Sequence, residues 1–215
     1  MGITLMQGVS VYMETALGAQ KTITAATNAD PGVFTSVAHG FSNGTPITLV
    51  TQGMDNLNGN DFRVINVTAD TFQLEEVDGN GISTLDYSSF QSGYAREITY
   101  GVSINDISGW NSSGGGFDML DASVITKRRK RQIPGAQNAS SVDFELIWDP
   151  TSLDQPVLKR ESGKEKSFKV LYDNGIIEMY RGYIAFGGDG NGNAFDIKKA
   201  SGVISLLGDF TYYPS

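Results

Sequence analysis

Cysteine is absent from the 215-residue sequence, and histidine occurs once, at His39. The lack of cysteine excludes disulfides, thiolate metal sites and cysteine nucleophiles. No window approaches the roughly 18 apolar residues that a membrane-spanning helix needs, and residues 1–18 lack the cationic start and apolar run of a secretory signal. These absences predict no membrane insertion and leave little material for an enzyme site, so no cofactor is expected.

Charge is sparse and unevenly shared along the chain. Sixteen Lys and Arg against twenty-four Asp and Glu give a formal net charge of −8, which argues against a free-standing nucleic-acid binder. Residues 22–97 hold two basic and nine acidic residues, a net of −7, whereas residues 98–215 hold thirteen and fourteen, a net of −1. This asymmetry predicts two modules.

Residues 22–97, here called the inserted segment, have the pattern of a compact β unit. Short apolar runs alternate with turns rich in Gly, Asn and Asp, which tolerate positive φ. Several short strands in this length are typical of a small β-barrel or sandwich. The predicted strands are Val33–Ala38, Ile47–Val50, Phe62–Val67 and Thr71–Glu76.

Two motifs could carry chemistry, and each has a plainer interpretation. Residues 40–44 match the G-x-S-x-G elbow beside His39, but that elbow requires a helix after the serine, and a strand pattern follows here. A glycine-rich β-turn is the favoured interpretation. Residues 189–193 begin like a calcium loop, yet Ala194 and Ala200 stand where glycine and glutamate are needed. The alternative is a hairpin loop leading to a strand over Phe195–Ile197.

The segment 121–150 is the most distinctive part of the chain. A β-branched stretch at residues 123–126 runs directly into five cations, which predicts a strand whose cations divide three to two between its faces. Pro134 and Gly135 are predicted to end that strand. The alternation from Val142 to Trp148 then predicts a second strand with one buried face. The five cations are Lys127, Arg128, Arg129, Lys130 and Arg131.

The residues before this segment predict a strand followed by a loop. Apolar and polar side chains alternate from Ile98 to Asn105, as in a strand with one apolar face. Ser108–Gly116 is too glycine-rich to be ordered without a partner. Phe117 and Met119 then return the chain either to the core or to a neighbouring molecule.

The order of these elements resembles the major tail tube proteins of phages with long, non-contractile tails. The features that carry the likeness are the basic β-branched stretch, the Pro-Gly pair and a strand ending in Trp148-Asp149-Pro150. A short helix over Leu153–Glu161, the turn 173–175 and a strand carrying Tyr180–Ile184 continue it to about Tyr213. The inserted segment resembles a small β module that recurs in phage structural proteins.

The resemblance implies a mainly β fold. Residues 1–21 and 98–215 would form a tail-tube-type β-sandwich or barrel with one short helix, and residues 22–97 a small all-β decoration domain. It also implies a virion structural protein of the viral tail, not an enzyme, assembled in the host cytoplasm. Subunits would form stacked homo-hexamer rings around a conduit for DNA ejection.

The partners implied are further copies of the chain, the tape measure protein in the lumen, and the tail tip and tail terminator proteins. Double-stranded DNA would pass through without specific binding. We expect contacts between subunits from an N-terminal arm (Met1–Val11), the glycine-rich loop Ser108–Leu120 and the basic segment. The candidate contact residues are Trp110, Phe117, Met119, Lys127, Arg128, Arg129, Lys130, Arg131, Pro134 and Gly135.

The basic run has other interpretations, namely a nucleic-acid patch or a solvated face. We predict that it pairs with acidic groups of another subunit or faces outward, because cations lining the lumen would hold phosphates. The glycine-rich loop has the alternative of a mobile surface loop.

A function of another class also fits the residues. In it the chain is a two-domain all-β surface protein whose inserted segment binds carbohydrate or a host receptor. That function would predict a monomer or trimer with an exposed aromatic cleft.

Overall fold

The computed structural model describes residues 8–123, 128–193 and 195–214, and the architecture is mainly β with one short helix, as predicted. The helix, α1, spans Asp154–Glu161. The strands are β1 Ser10–Leu17, β2 Lys21–Ile23, β3 Ala25–Ala26, β4 Phe34–Thr35, β5 Pro46–Gln52, β6 Asp61–Ile65, β7 Thr71–Leu74, β8 Ser92–Ile104, β9 Ile107–Ser113, β10 Phe117–Asp121, β11 Gln132–Gln137, β12 Ser141–Ile147, β13 Glu165–Leu171, β14 Ile177–Phe186, β15 Lys199–Leu206 and β16 Thr211–Tyr213.

Most strands belong to one antiparallel sheet. Its order is β3-β4-β7-β6-β5-β8-β1-β13-β14-β15-β12-β9, with β2 also pairing β8 and β16 also pairing β14. Strands β10 and β11 form a separate two-stranded sheet. No helix among the described residues is long and apolar enough to cross a membrane.

Two hydrophobic clusters lie on this sheet. One is built from the main unit (residues 8–21 and 98–214) and includes Phe144, Phe168 and Tyr180. The other belongs to the inserted segment and includes Phe34 and Phe72. Burying a side chain of this kind contributes roughly 1.5–3 kcal/mol relative to leaving it in water.

Strand β8 connects the two clusters. Its first residues, 92–97, pair with β5, and its last, 98–104, pair with β1. The boundary predicted at residues 97/98 therefore falls inside one 13-residue strand. The division into two domains stays a prediction.

Three local expectations were wrong. Residues 107–113 form β9, because the glycine-rich stretch finds its partner in β12 of the same chain. Within Val33–Ala38 only Phe34–Thr35 is a strand. The strand expected over Phe195–Ile197 begins instead at Lys199, where pairing with β12 starts.

Candidate self-assembly surface

The hairpin formed by β10 and β11 lies outside both hydrophobic clusters of the described chain. It continues the β9–β12 pair beyond a glycine joint, where Gly114 has φ 91° and Gly115 has φ 75°. A Cβ on Gly114 would lie 2.3 Å from the carbonyl oxygen of Ala139. The Asn138 amide donates a hydrogen bond to the carbonyl of Gly116 at 2.8 Å and closes the root of the hairpin.

Both faces of the hairpin carry exposed apolar side chains. Leu120 lies opposite Ile133, and Met119 opposite Pro134. Opposed residues share a face, and successive residues on a strand alternate between faces. Leu120 and Ile133 are therefore on one face, with Met119 and Pro134 on the other. Phe117, Met119 and Leu120 are 54–56% exposed, and neither hydrophobic cluster includes them.

The expected strand through the basic run is wrong over its described part. Arg128–Arg131 lie outside any strand, at the far end of the hairpin, and Pro134 and Gly135 lie inside β11 instead of ending a strand. Proline is tolerated there because β11 is an edge strand and a bulge interrupts the pairing between Phe117 and Met119. Lys127 and residues 124–126 lie outside the described residues.

The four described cations at this tip are exposed. In the described ranges no ion pair involves any of them, while Arg131 is fixed through its backbone amide, which donates to the hydroxyl of Ser123 at 3.1 Å. Hydrogen bonds from Ser123 also lower the pKa of the nearby Asp121 carboxyl. The tip is thus a compact positive group next to one ionised acid.

Trp110 lies away from the hairpin, on β9. It packs against Phe144 at a ring-centroid distance of 5.6 Å and lines a cleft of about 510 Å³ together with Gly8–Val11. The predicted arm and Trp110 therefore lie together at this cleft. The first seven residues of the arm are outside the described residues.

The elbow-like motif has the geometry of a packed turn. His39 is buried, its Nδ1 accepts a hydrogen bond from the Phe41 amide at 3.0 Å, and its ring contacts those of Phe41 and Phe72. Ser42 is exposed, and no hydrogen bond between it and His39 is found among the described residues. This arrangement does not provide a base for the serine hydroxyl.

The two remaining candidate sites also lack the features that their function needs. In the calcium-like loop the Asp189 carboxylate accepts from Lys159 Nζ at 3.0 Å, and Ala194 is outside the described residues. The described part of the chain contains no group of three or more acidic or histidine side chains placed to hold a metal. The inserted segment has a cleft of about 640 Å³ near Asp30, Glu76 and Asp78, and no described residue lining it is aromatic.

Sequence reasoning missed Ile133 as a contact candidate. Its signal was available, since it is an apolar residue between a basic run and a Pro-Gly pair. Leu120 was included only as the end of the glycine-rich loop. The structure places both on one exposed face.

Comparison with known proteins identifies one family. A family model described as phage tail tube protein, TTP, matches residues 52–215. The matched range includes the hairpin, the helix and β12 to β16. No curated protein matches the chain.

Proposed function

The chain belongs to the phage tail tube protein family, and from that premise we propose that it is the major tube subunit, which polymerises as stacked, six-membered rings. The rings would enclose the tail conduit through which DNA is ejected. The observation that carries this proposal is the β10–β11 hairpin, whose two faces both present apolar side chains to solvent in the single subunit.

An isolated two-stranded hairpin is marginally stable in water. Apolar area removed from water contributes about 25 cal/mol per Å², so inserting the hairpin between other copies would stabilise both the hairpin and the assembly. Two apolar faces require two covering surfaces. The hairpin therefore fits between neighbouring subunits better than against one flat partner.

The exposed cations at the tip fit the same role. Placed against acidic groups of another subunit, they would steer association and fix its register. Placed in the lumen, they would bind passing phosphates and slow the DNA. We therefore propose that Arg128–Arg131 contact protein or face outward.

The remaining partners follow from the tube role. The tape measure protein would occupy the lumen before DNA does, and tail tip and terminator proteins would close the two ends. Assembly would take place in the host cytoplasm, with the inserted segment as a decoration on the outside of the tube.

Electron microscopy of the purified protein across a concentration series, with sedimentation in parallel, tests the proposal. We expect rings or tubes with an open channel, and loss of these assemblies in the double variant Met119→Ser/Leu120→Ser, which changes one exposed side chain on each face. The matched control is Val77→Ser, which changes an exposed apolar residue of the inserted segment and should assemble normally.

Particles that stay monomeric even when tail-tip seeds are added would contradict the tube function. Assembly that is equally strong in both variants would contradict the role of the hairpin alone.

A further inference from the structure

A buried ionic cluster joins the inserted segment to the main unit. Asp61 of β6 is fully buried, and neither of its carboxylate oxygens has a hydrogen-bond partner among the described residues. The nearest cation is Arg181 of β14, whose Nη1 lies 3.7 Å from Asp61 Oδ1. We call Asp61 and Arg181, with the groups that share that guanidinium, the Asp61 junction.

Arg181 is already engaged by other acids. Its Nε donates to the Glu165 carboxylate, and its Nη1 donates to the hydroxyl of Ser167 at 2.7 Å and lies 3.4 Å from Glu14 Oε2. Lys166 is the second cation, 3.8 Å from Glu14 and 3.4 Å from Glu161. Three carboxylates therefore share one guanidinium, and Lys166 is itself divided between two acids.

Two tyrosines and a second arginine near Asp61 do not compensate its charge. Tyr100 of β8 has a buried hydroxyl without a hydrogen-bond partner among the described residues. The Tyr213 hydroxyl of β16 lies 3.3 Å from the backbone oxygen of Asp61 instead of the carboxylate. Arg63, two residues along β6, is bound in a bidentate pair with Glu75 at 2.7 and 2.8 Å.

A buried carboxylate is costly when ionised if its ion pair is too long for a hydrogen bond and the cation is shared with two other acids, as Arg181 is here. One proton would neutralise the excess charge. Asp61 is the acid with the least compensation. We propose that Asp61 carries a proton in the folded subunit and that its ionisation above neutral pH loosens the contact between the inserted segment and the main unit.

The direction of the pH effect follows from linkage. Burial raises the pKa of Asp61 from 3.8 to about 7, against the opposing influence of Ser167 and Arg181. The closed junction binds this proton more tightly than an opened, hydrated one, so closure weakens as pH rises between the two values. Because one pKa unit is a factor of ten, the closed form should lose about a hundredfold in relative population between about pH 5 and about pH 8.

The junction also lies next to the root of the hairpin. The carbonyl of Arg181 accepts from the Leu207 amide at 2.9 Å, and the Asp209 amide donates to Asn60 Oδ1 at 2.7 Å. In the same stretch, the Leu206 amide donates to the carbonyl of Ser140, the residue just before β12, at 2.9 Å. Backbone hydrogen bonds therefore connect the Asp61 junction to the segment from which the hairpin extends.

The absence of cysteine allows a direct test on the whole subunit. Spin labels at Asp86→Cys in the inserted segment and Asp173→Cys in the main unit, both exposed positions, report the distance between the two parts. We expect one narrow distribution at pH 5 that becomes broader and longer at pH 8. In Asp61→Asn, a neutral side chain of the same shape, the distribution should stay narrow at both pH values.

Asp55→Asn, an exposed acid of the same segment, is the control and should behave like the parent. An unchanged parent distribution at pH 8, or an Asp61→Asn protein that broadens like the parent, would overturn the proposal. Infrared difference spectra of the parent minus Asp61→Asn at pH 6 give an independent readout. The parent should show a buried carboxylic acid band in excess of the variant's, because Glu178, whose pKa is also raised by burial, contributes to both proteins. If Asp61→Asn does not fold, the parent alone is titrated, and a buried carboxylic acid band that is absent at pH 6 refutes the proton. None of these measurements requires tube assembly.

Discussion

The β9–β12 pair and the β10–β11 hairpin are consecutive parts of the same two chain segments, yet they differ in how far their apolar side chains are buried. In β12, Val142, Phe144 and Leu146 are buried and alternate with outward polar residues. In the hairpin almost every residue is exposed, including its large apolar ones. The first pair is covered by its own chain, whereas the second has apolar faces that no described part of the chain covers.

The largest expected effect on stability comes from removing a buried aromatic ring from the β9–β12 pair. Phe144 packs between Trp110 and Phe186, with centroid distances of 5.6 and 5.8 Å. Phe144→Ala should lower the free energy of unfolding by about 3–5 kcal/mol, because a large cavity remains in the cluster. Leu120→Ala in the hairpin should change it by about 0.5 kcal/mol or less in the monomer. Denaturant unfolding of both variants checks the contrast, and equal losses would mean that the hairpin is packed in the free subunit.

A smaller effect should follow from changing the joint between the two halves. Gly114→Ala places a side chain where φ is 91° and 2.3 Å from a carbonyl oxygen. We expect a loss of about 1 kcal/mol or more, concentrated at the hairpin root and measured by hydrogen exchange of the Asn138 amide, which donates to the Gly116 carbonyl. Gly116→Ala is the matched control, since no atom lies within 4 Å of its added Cβ. Equal exchange in the two variants would show that the joint tolerates a side chain.

The same comparison shows how much the sequence could predict. The alternation of apolar and polar residues was sufficient to predict β12, because a strand with one buried face has period two regardless of its partners. The residues 107–113 gave no such signal. Their order depends on pairing with β12, some thirty residues later, and β structure depends more on context of this kind than on local preference.

The hairpin misled sequence reasoning for a related reason. Pro134 and Gly135 carry the usual signal of a strand end, but an edge strand with a bulge accepts both. The Asp61 junction could not be anticipated at all, since Asp61, Glu14 and Arg181 are far apart in the sequence and only the packed strands bring them together.

The smallest effect on the free subunit is expected at the tip of the hairpin. In Arg128→Glu/Arg129→Glu the charges change sign at exposed positions with no ion pair in the described chain, so the unfolding free energy should move by about 0.5 kcal/mol or less. Assembly of the variant should weaken markedly if these cations meet acidic groups of another copy. Added salt should weaken assembly of the parent but not of the variant, because salt screens the attraction between cations and acidic groups, which the variant lacks. Sedimentation at low and high salt measures both. A variant with four exposed neutral residues changed to acids, Gln20→Glu, Asn56→Asp, Ala69→Glu and Ser88→Glu, changes the net charge by the same −4 and is the control. If it weakens assembly as much as the tip variant, overall charge would account for the effect. A tip variant that assembles like the parent at every salt concentration would leave the apolar faces as the part of the hairpin that distinguishes it from the β9–β12 pair.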